Sequence, residues 1–392
     1  MAAVLAATAS GLAAFPQAAT AAESDVTLTP NPAYAGAPFK GWGSSLVWMA
    51  NATGSYPAEL RDELIDKVFG DEGLNLNIAR YNIGGGNATD VPDYLRPGGA
   101  VPGWWNPDAP LTDDDGAITS SFADRDRFRA AWTGENASDY DFSADAAQLA
   151  WVSAIKDQVD TWEAFSNSPP YFMTESGFVS GGTDPWADQI RRDSLDTFAT
   201  YLKTVVEHVE DTQGISFDTI DPLNEPNTNY WGTTIGGDGW PTSASRQEGA
   251  HAGPALQADV ITALAAELAA SDTTTDAVIS GPDETNPQRF VEDWNGWDTA
   301  ARDAVAQLNV HTYSTGGRHL ARDIAKSAAK PLWMSEVEGN WGGDSWNPDA
   351  IENGLGIAQL VSSDLRELEP EAWVLWQPVE DLYNMEKVEK KA

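Results

Sequence analysis

Short runs of β-branched, aromatic and aliphatic residues alternate along this chain with longer stretches in which apolar positions return every three or four residues. Eight runs of the first kind predict strands: FKGWGSSLVW (39–48), LNIARYNIG (76–84), TWEAFSNSPPYFM (161–173), SFDTIDPLNEP (216–226), DAVISGPDE (276–284), QLNVHTY (307–313), PLWMSEVEG (331–339) and EAWVLWQPVED (371–381). Stretches of the second kind, among them PAELRDELIDKVFG, ADAAQLAWVSAIKDQVD, SLDTFATYLKTVVEHVED, ALQADVITALAAELAAS and AIENGLGIAQLVSSDLREL, predict amphipathic helices between them. Strand and helix in that order predict an α/β fold, a (β/α)8 TIM barrel.

Two long segments rich in Gly, Pro and Trp, 84–142 and 227–254, follow the second and fourth strands, at the end of a barrel where active-site loops belong. The run VTLTPNPAYAGAPF (26–39) reads as extended structure outside the barrel. The sequence stops at LYNMEKVEKKA, which leaves no room for a full helix after strand eight. The expected organisation is a leader over 1–22, accessory strands over 23–38, the barrel over 39–386 and a short, truncated tail over 387–392.

Composition refines this picture. Residues 1–22 are Ala-rich, uncharged and end in small residues, as a secretory signal peptide does, although the first Lys or Arg of the chain is Lys40. Secretion to the extracellular space is the expectation. The absence of Cys is compatible with it, because a core of this size needs no disulfides. Sixty acidic residues against 23 basic give a net charge of -37, which repels nucleic acid and anionic membranes. No apolar run reaches the roughly 18–20 residues of a membrane-spanning helix. A monomer is expected.

The chemistry concentrates at two strand ends. Glu225, in DPLNEPN, ends the fourth candidate strand and Glu336, in WMSEVEG, ends the seventh. In a parallel barrel such residues face one cleft. Two carboxyl groups across a sugar ring, roughly 5–5.5 Å apart, serve a retaining glycosidase, one attacking the anomeric carbon while the other protonates the leaving oxygen. On this reading Glu225 is the acid/base, with a raised pKa, and Glu336 the nucleophile, oriented by Tyr313. Asn224 is placed to bond a sugar 2-hydroxyl.

Other side chains carry two readings each. Trp376 is the apolar floor under a sugar or ordinary core; Arg80 holds a catalytic carboxylate or makes a structural ion pair; Asn167 binds hydroxyls or secures the turn in SNSPP. His311 and Tyr313 alternate on strand six and both point inward, with a structural role open for His311. Trp104, Trp105, Trp231 and Trp240 lie in the long loops, as polysaccharide platforms or as core, and Gln247 and Glu248 are ligand contacts or a solvated pair. No zinc-ligand spacing, G-x-S-x-G elbow or P-loop is present, and no cofactor or metal is implied.

The motifs GWGSS, RYNIGG, SNSPPYFM, DPLNEPNTNYW, RQEG, WMSEVEG and VLWQPVED, in this order over residues 26–386, resemble the endo-β-1,6-galactanase-like group of glycoside hydrolase family 30. The resemblance implies a retaining mechanism with Glu225 and Glu336 in the roles above. It also implies an accessory β-sandwich built from N-terminal strands and a C-terminal extension, of which this sequence holds the first part. The substrate it implies is a β-linked galactan, such as arabinogalactan side chains, cut internally. The alternatives are a β-1,6-glucanase, a xylanase, an exo-acting galactanase, or a carbohydrate-binding protein or fragment without turnover.

Overall fold

The computed structural model describes residues 27, 29, 31–96, 98–242, 247–339 and 350–379. Each of the eight apolar runs supplies one strand: β1 (Gly41–Ser45), β2 (Ile78–Asn82), β3 (Thr161–Phe165), β4 (Thr219–Asp221), β5 (Val278–Glu284), β6 (Val305–His311), β7 (Leu332–Glu336) and β8 (Ala372–Leu375). They pair in parallel in chain order, and β8 closes on β1 through Gly41–Ser44 against Ala372–Leu375. The fold is a (β/α)8 TIM barrel.

The strands are shorter than the runs that predict them, for local reasons. Past Asp221 the chain reads Pro-Leu-Asn-Glu-Pro, and neither proline has an N–H to give to a ladder. Past Phe165, Ser-Asn-Ser-Pro-Pro turns the chain into a 3-10 turn at Tyr171–Met173.

Helices Ala58–Val68, Ala146–Ile155, Leu195–Gln213, Pro254–Leu268 and Ile351–Ser363 form on the five amphipathic stretches. Gly214, in the left-handed region at φ 67°, stops the third of them. Helices Pro287–Gly296 and Thr299–Ala304 cross from β5 to β6, and Arg318–Ala328 crosses from β6 to β7. The first of these starts on Asn286, whose side chain accepts from the backbone N–H of Gln288 and Arg289, with Pro287 at the first helical position.

Alternation along the strands sorts the core into layers. Tyr81, Trp162, Ala164, Ile220, Leu308 and Met334 pack outward with Val205, Leu264 and Phe290 from the helices. Each such fully buried large side chain contributes about 1.5–3 kcal/mol. Ile78, Trp333, Ala372 and Val374 form a separate apolar cluster, on the alternate strand positions.

Two residues along β2 from Ile78 the packing turns polar. Glu163 is fully buried and accepts hydrogen bonds from Arg80 Nε (2.7 Å), Thr219 Oγ1 (2.7 Å), Ser280 Oγ (2.9 Å), Asn309 Nδ2 (2.9 Å) and Gln307 Nε2 (3.1 Å). Five donors, one of them a guanidinium, satisfy a charge that would otherwise be too costly to bury. This polar layer ties β2, β3, β4, β5 and β6 together below the strand ends.

The chain divides at Ala37/Pro38 into two units. In the leading unit the described residues form a 3-10 turn, Pro32–Tyr34, capped by the Asn31 side chain. Of the accessory strands expected over 23–38, the described residues 27, 29 and 31–38 carry this turn and no strand, and the remaining positions, like the expected leader and the tail over 387–392, lie outside the described residues.

Candidate active site

Glu225 sits four residues beyond the β4 ladder and not on its last rung, because Pro222 and Pro226 interrupt pairing. Its backbone is left-handed, at φ 45°, a conformation that costs a residue bearing a Cβ about 1–2 kcal/mol. Three hydrogen bonds pin it there: its N–H donates to Asp283 O (3.0 Å), and its carbonyl accepts from Trp231 Nε1 (2.9 Å) and Thr228 Oγ1 (3.1 Å). Strain that surrounding bonds hold in place is a mark of functional backbone.

Glu336 closes β7, where the register against β6 slips between Val310 and His311. The slip brings the consecutive residues Ser335 and Glu336 to the same cluster. The Ser335 carbonyl accepts from Arg80 Nη1 (3.2 Å) and its hydroxyl donates to Asp283 Oδ1 (2.6 Å). Glu336 accepts from Arg80 Nη1 (3.4 Å) and from the Tyr313 hydroxyl (3.0 Å).

Between the two glutamates stands His311, fully buried. Its Nδ1 lies 3.2 Å from Glu225 Oε1 and 3.6 Å from Glu336 Oε1, and its Nε2 lies 3.0 Å from Asp283 Oδ1. One carboxylate oxygen from each glutamate and one His311 nitrogen all fall within 4.8 Å of one another. Arg80, also fully buried, pairs with Glu163, Asp283 and Glu336, and its guanidinium lies 4.2 Å over the Phe165 ring.

The charges set one another. Burial pushes the Glu336 carboxyl up to about 7; His311 and Arg80 pull it down, and the charges of Glu225 and Asp283 add to the rise. Burial works against a charged His311, but Glu336 and Asp283 outweigh it and hold its pKa well above the ordinary value. Burial likewise opposes an ionised Asp283, and Arg80 and His311 overcome it and keep that carboxyl below the usual carboxylate range. The result is a pair of carboxyl groups flanked by Arg80 and His311.

The model of O-glycosyl hydrolase family 30 matches residues 109–304, half of the chain. The chain belongs to that family. Two relatives are similar to this family 30 chain. An exo-β-1,6-galactobiohydrolase of Bifidobacterium longum subsp. longum is 38% identical over 98% of the chain, and an endo-β-1,6-galactanase of Hypocrea rufa is 28% identical over 92% of it. The chain spans 29% of the length of the first and 68% of the second. Among solved structures, a conserved exported protein from Bacteroides fragilis shares the fold, with a TM-score of 0.63 at 21% identity over 88% of this chain and 70% of its own.

The remaining residues singled out in this family 30 sequence divide. Asn224 and Asn167 are 4% and 3% exposed; Asn224 Oδ1 and both amide atoms of Asn167 have no hydrogen-bond partner among the described residues. These amides lie just past the ends of β4 and β3. Trp376 is 5% exposed and meets Trp48 edge-on at 5.7 Å beside Phe165, so it is a wall of the site and core at once.

Others are narrowed to one reading or corrected. Arg80 is fully buried on Glu163, Asp283 and Glu336, in keeping with its reading as a holder of carboxylates, and has no surface for a sugar. His311 likewise spends both ring nitrogens on carboxylates. Trp231 is 3% exposed: its indole bonds the Glu225 carbonyl and packs so tightly on Gly249 that a Cβ there would lie 2.1 Å from the ring. Trp104 and Trp105 are core. Gln247 Oε1 accepts from Arg96 (3.1 Å), and Glu248, far from solvated, is fully buried on the backbone N–H groups of Gly85, Gly86 and Val101.

Sequence reasoning missed Asp283 and Glu163. The signal for Glu163 was available, because a Glu in the middle of an apolar strand run demands a partner. Asp283 gave none, since Asp after Pro reads as a turn.

Proposed function

We propose that this chain is a secreted retaining glycosidase that cleaves β-1,6-linked galactan by double displacement. The reading rests on the carboxylate spacing: oxygens within 4.8 Å suit direct attack on the anomeric carbon, whereas inverting enzymes hold the pair roughly 6.5–9.5 Å apart to admit a water. The galactan assignment draws on the two relatives.

In the first step Glu336 forms a bond to the anomeric carbon as the glycosidic C–O bond breaks, and the Glu225 proton passes to the leaving oxygen. In the second, Glu225 takes a proton from water, the hydroxide oxygen bonds the anomeric carbon, and Glu336 leaves as carboxylate. Arg80, Tyr313 and His311 stabilise the ionised Glu336 before attack and on release. Asn224 and Asn167 bind hydroxyls of the sugar being transferred.

Attack within the galactan chain is the reading taken from the sequence motifs. Release of disaccharides from chain ends is a second reading, favoured by the 38% identity to the exo-acting relative. The test is product analysis on β-1,6-galactan, with β-1,6-glucan and xylan as controls and with Glu225→Gln and Glu336→Gln variants. Galactose-based products whose anomeric configuration is retained at first appearance, from wild type alone, support the proposal. A ladder of oligosaccharides indicates internal attack and a single disaccharide indicates the exo mode. Inverted product sinks the mechanism, and turnover of another glycan sinks the galactan assignment.

A further inference from the structure

We infer that Asn227 is a positioning residue for Glu225, gripped by two buried acids, Glu284 from the end of β5 and Asp293 from the helix Pro287–Gly296. The inference rests on the acid/base role proposed for Glu225.

Asn227 donates its backbone N–H to Glu284 Oε1 (2.5 Å) and its side-chain amide to Asp293 Oδ1 (2.7 Å). Two residues earlier, Glu225 donates its N–H to the carbonyl of Asp283. Successive residues of β5 therefore hold alternate residues of the loop. Pro226, between them, has no N–H to give, and its carbonyl accepts from Ala252 (2.9 Å). The left-handed turn at Glu225 is thus fixed from both sides, and on its downstream side Asn227 is the first residue held through its N–H and its side chain.

The two acids form an unusual clamp. Both are fully buried, and among the described residues no Lys, Arg or His pairs with either. Asp293 Oδ2 has no hydrogen-bond donor unless a neighbouring carboxyl supplies one. Two adjacent carboxylates without a cation do not both ionise, so one proton is retained. Held on Glu284, it gives Asp293 Oδ2 its missing donor. The surroundings agree: burial, then the Asp293 charge, raises Glu284 well above the ordinary range, and burial raises Asp293 to about 6. The other groups facing the pair are Glu225 toward Glu284, and Gln257 and Glu292 toward Asp293. None is a cation that would replace the proton.

General acid catalysis matters most when the leaving group is poor, and contributes about 10²–10⁴-fold. A loosened Glu225 therefore shows itself as a dependence on the leaving group, which ordinary structural damage does not produce. The experiment compares wild type with Asn227→Ala and Asp293→Asn on two substrates: a β-1,6-galacto-oligosaccharide, and a dinitrophenyl β-galactoside whose phenolate departs without a proton. Asn227→Ala is expected to lose about 10²-fold in kcat/KM on the oligosaccharide, chiefly in kcat, and only a few-fold on the dinitrophenyl glycoside. Asp293→Asn keeps an acceptor for Asn227 and a donor for Glu284. It is expected to show a smaller loss in the same order, and it carries the test if Asn227→Ala does not fold. Equal losses on both substrates, or none on either, overturn the inference. If wild type prefers another sugar, the same pair of leaving groups is built on that sugar, so failure of the galactan reading is scored separately. A wild-type chain that cleaves no glycoside overturns the acid/base role and the inference together.

Discussion

Replacing Tyr313 by Phe isolates one contact at Glu336, the proposed nucleophile. The Tyr313 hydroxyl donates to Glu336 Oε1 at 3.0 Å, and that bond favours the ionised carboxylate. A hydrogen bond to a charged group contributes about 1.5–3 kcal/mol. The hydroxyl end lies among carboxylates, yet the residue is 42% exposed, so water replaces part of the bond and the lower figure applies. At 1.36 kcal/mol per unit, about 1.5 kcal/mol raises the Glu336 pKa by roughly one unit. The nucleophile must be ionised, so activity falls as pH drops through that pKa. The acid limb of kcat/KM, set near 7 in the wild type, moves to about 8, and activity at pH 6 drops about tenfold while activity on the alkaline side of the optimum changes less. The assay is the pH profile of kcat/KM for Tyr313→Phe beside wild type. A midpoint that stays put, or moves toward acid, refutes the reasoning.

Arg80→Met leaves Glu163, Asp283 and Glu336 buried without their shared cation and should cost about 3–5 kcal/mol in denaturant unfolding; a loss below about 1 kcal/mol counts against the polar layer as described. Asn167→Ala removes no hydrogen bond from the free protein, so melting temperature should hold or rise while kcat/KM drops about 10–100-fold, the worth of one or two sugar hydroxyl contacts. Burial raises Glu248 to about 8, above its unfolded value of about 4.3. The native state therefore binds more protons across that window, and its contribution, full below the unfolded pKa, is lost as pH rises toward the folded one. Glu248→Gln should flatten the decline in melting temperature between pH 5 and 9, and an unchanged slope would count against this account.

The barrel was legible because alternating strand and helix patterns repeat eight times and each strand buries one face against helices. The crossover helices after β5 and β6 were less so: Asn286-Pro287 is a clear helix start, but the segment behind it is short and charged. Glu225 and Glu336 were legible from their placement at strand ends. Residues acting through others were not, because their partners lie far away in sequence. Asp283 meets Arg80 across 203 residues, and nothing local to either marks the pair. The loop tryptophans misled for a related reason. Trp231 lies in a polar, Gly-rich segment, yet it is buried against Gly249 and bonded to the Glu225 carbonyl, neither of which its neighbours in sequence reveal.

The left-handed backbone at Glu225 sets local stability against turnover. Gly or Asn adopts φ 45° with less strain, so either substitution relieves part of about 1–2 kcal/mol while abolishing the acid/base. A lineage no longer selected for cleavage would drift toward Gly or Asn at 225 before it lost the barrel, and a screen for thermal tolerance alone would enrich the same inactive sequences. On the acid/base role proposed for Glu225, the side chain is kept at this position against the backbone's own preference.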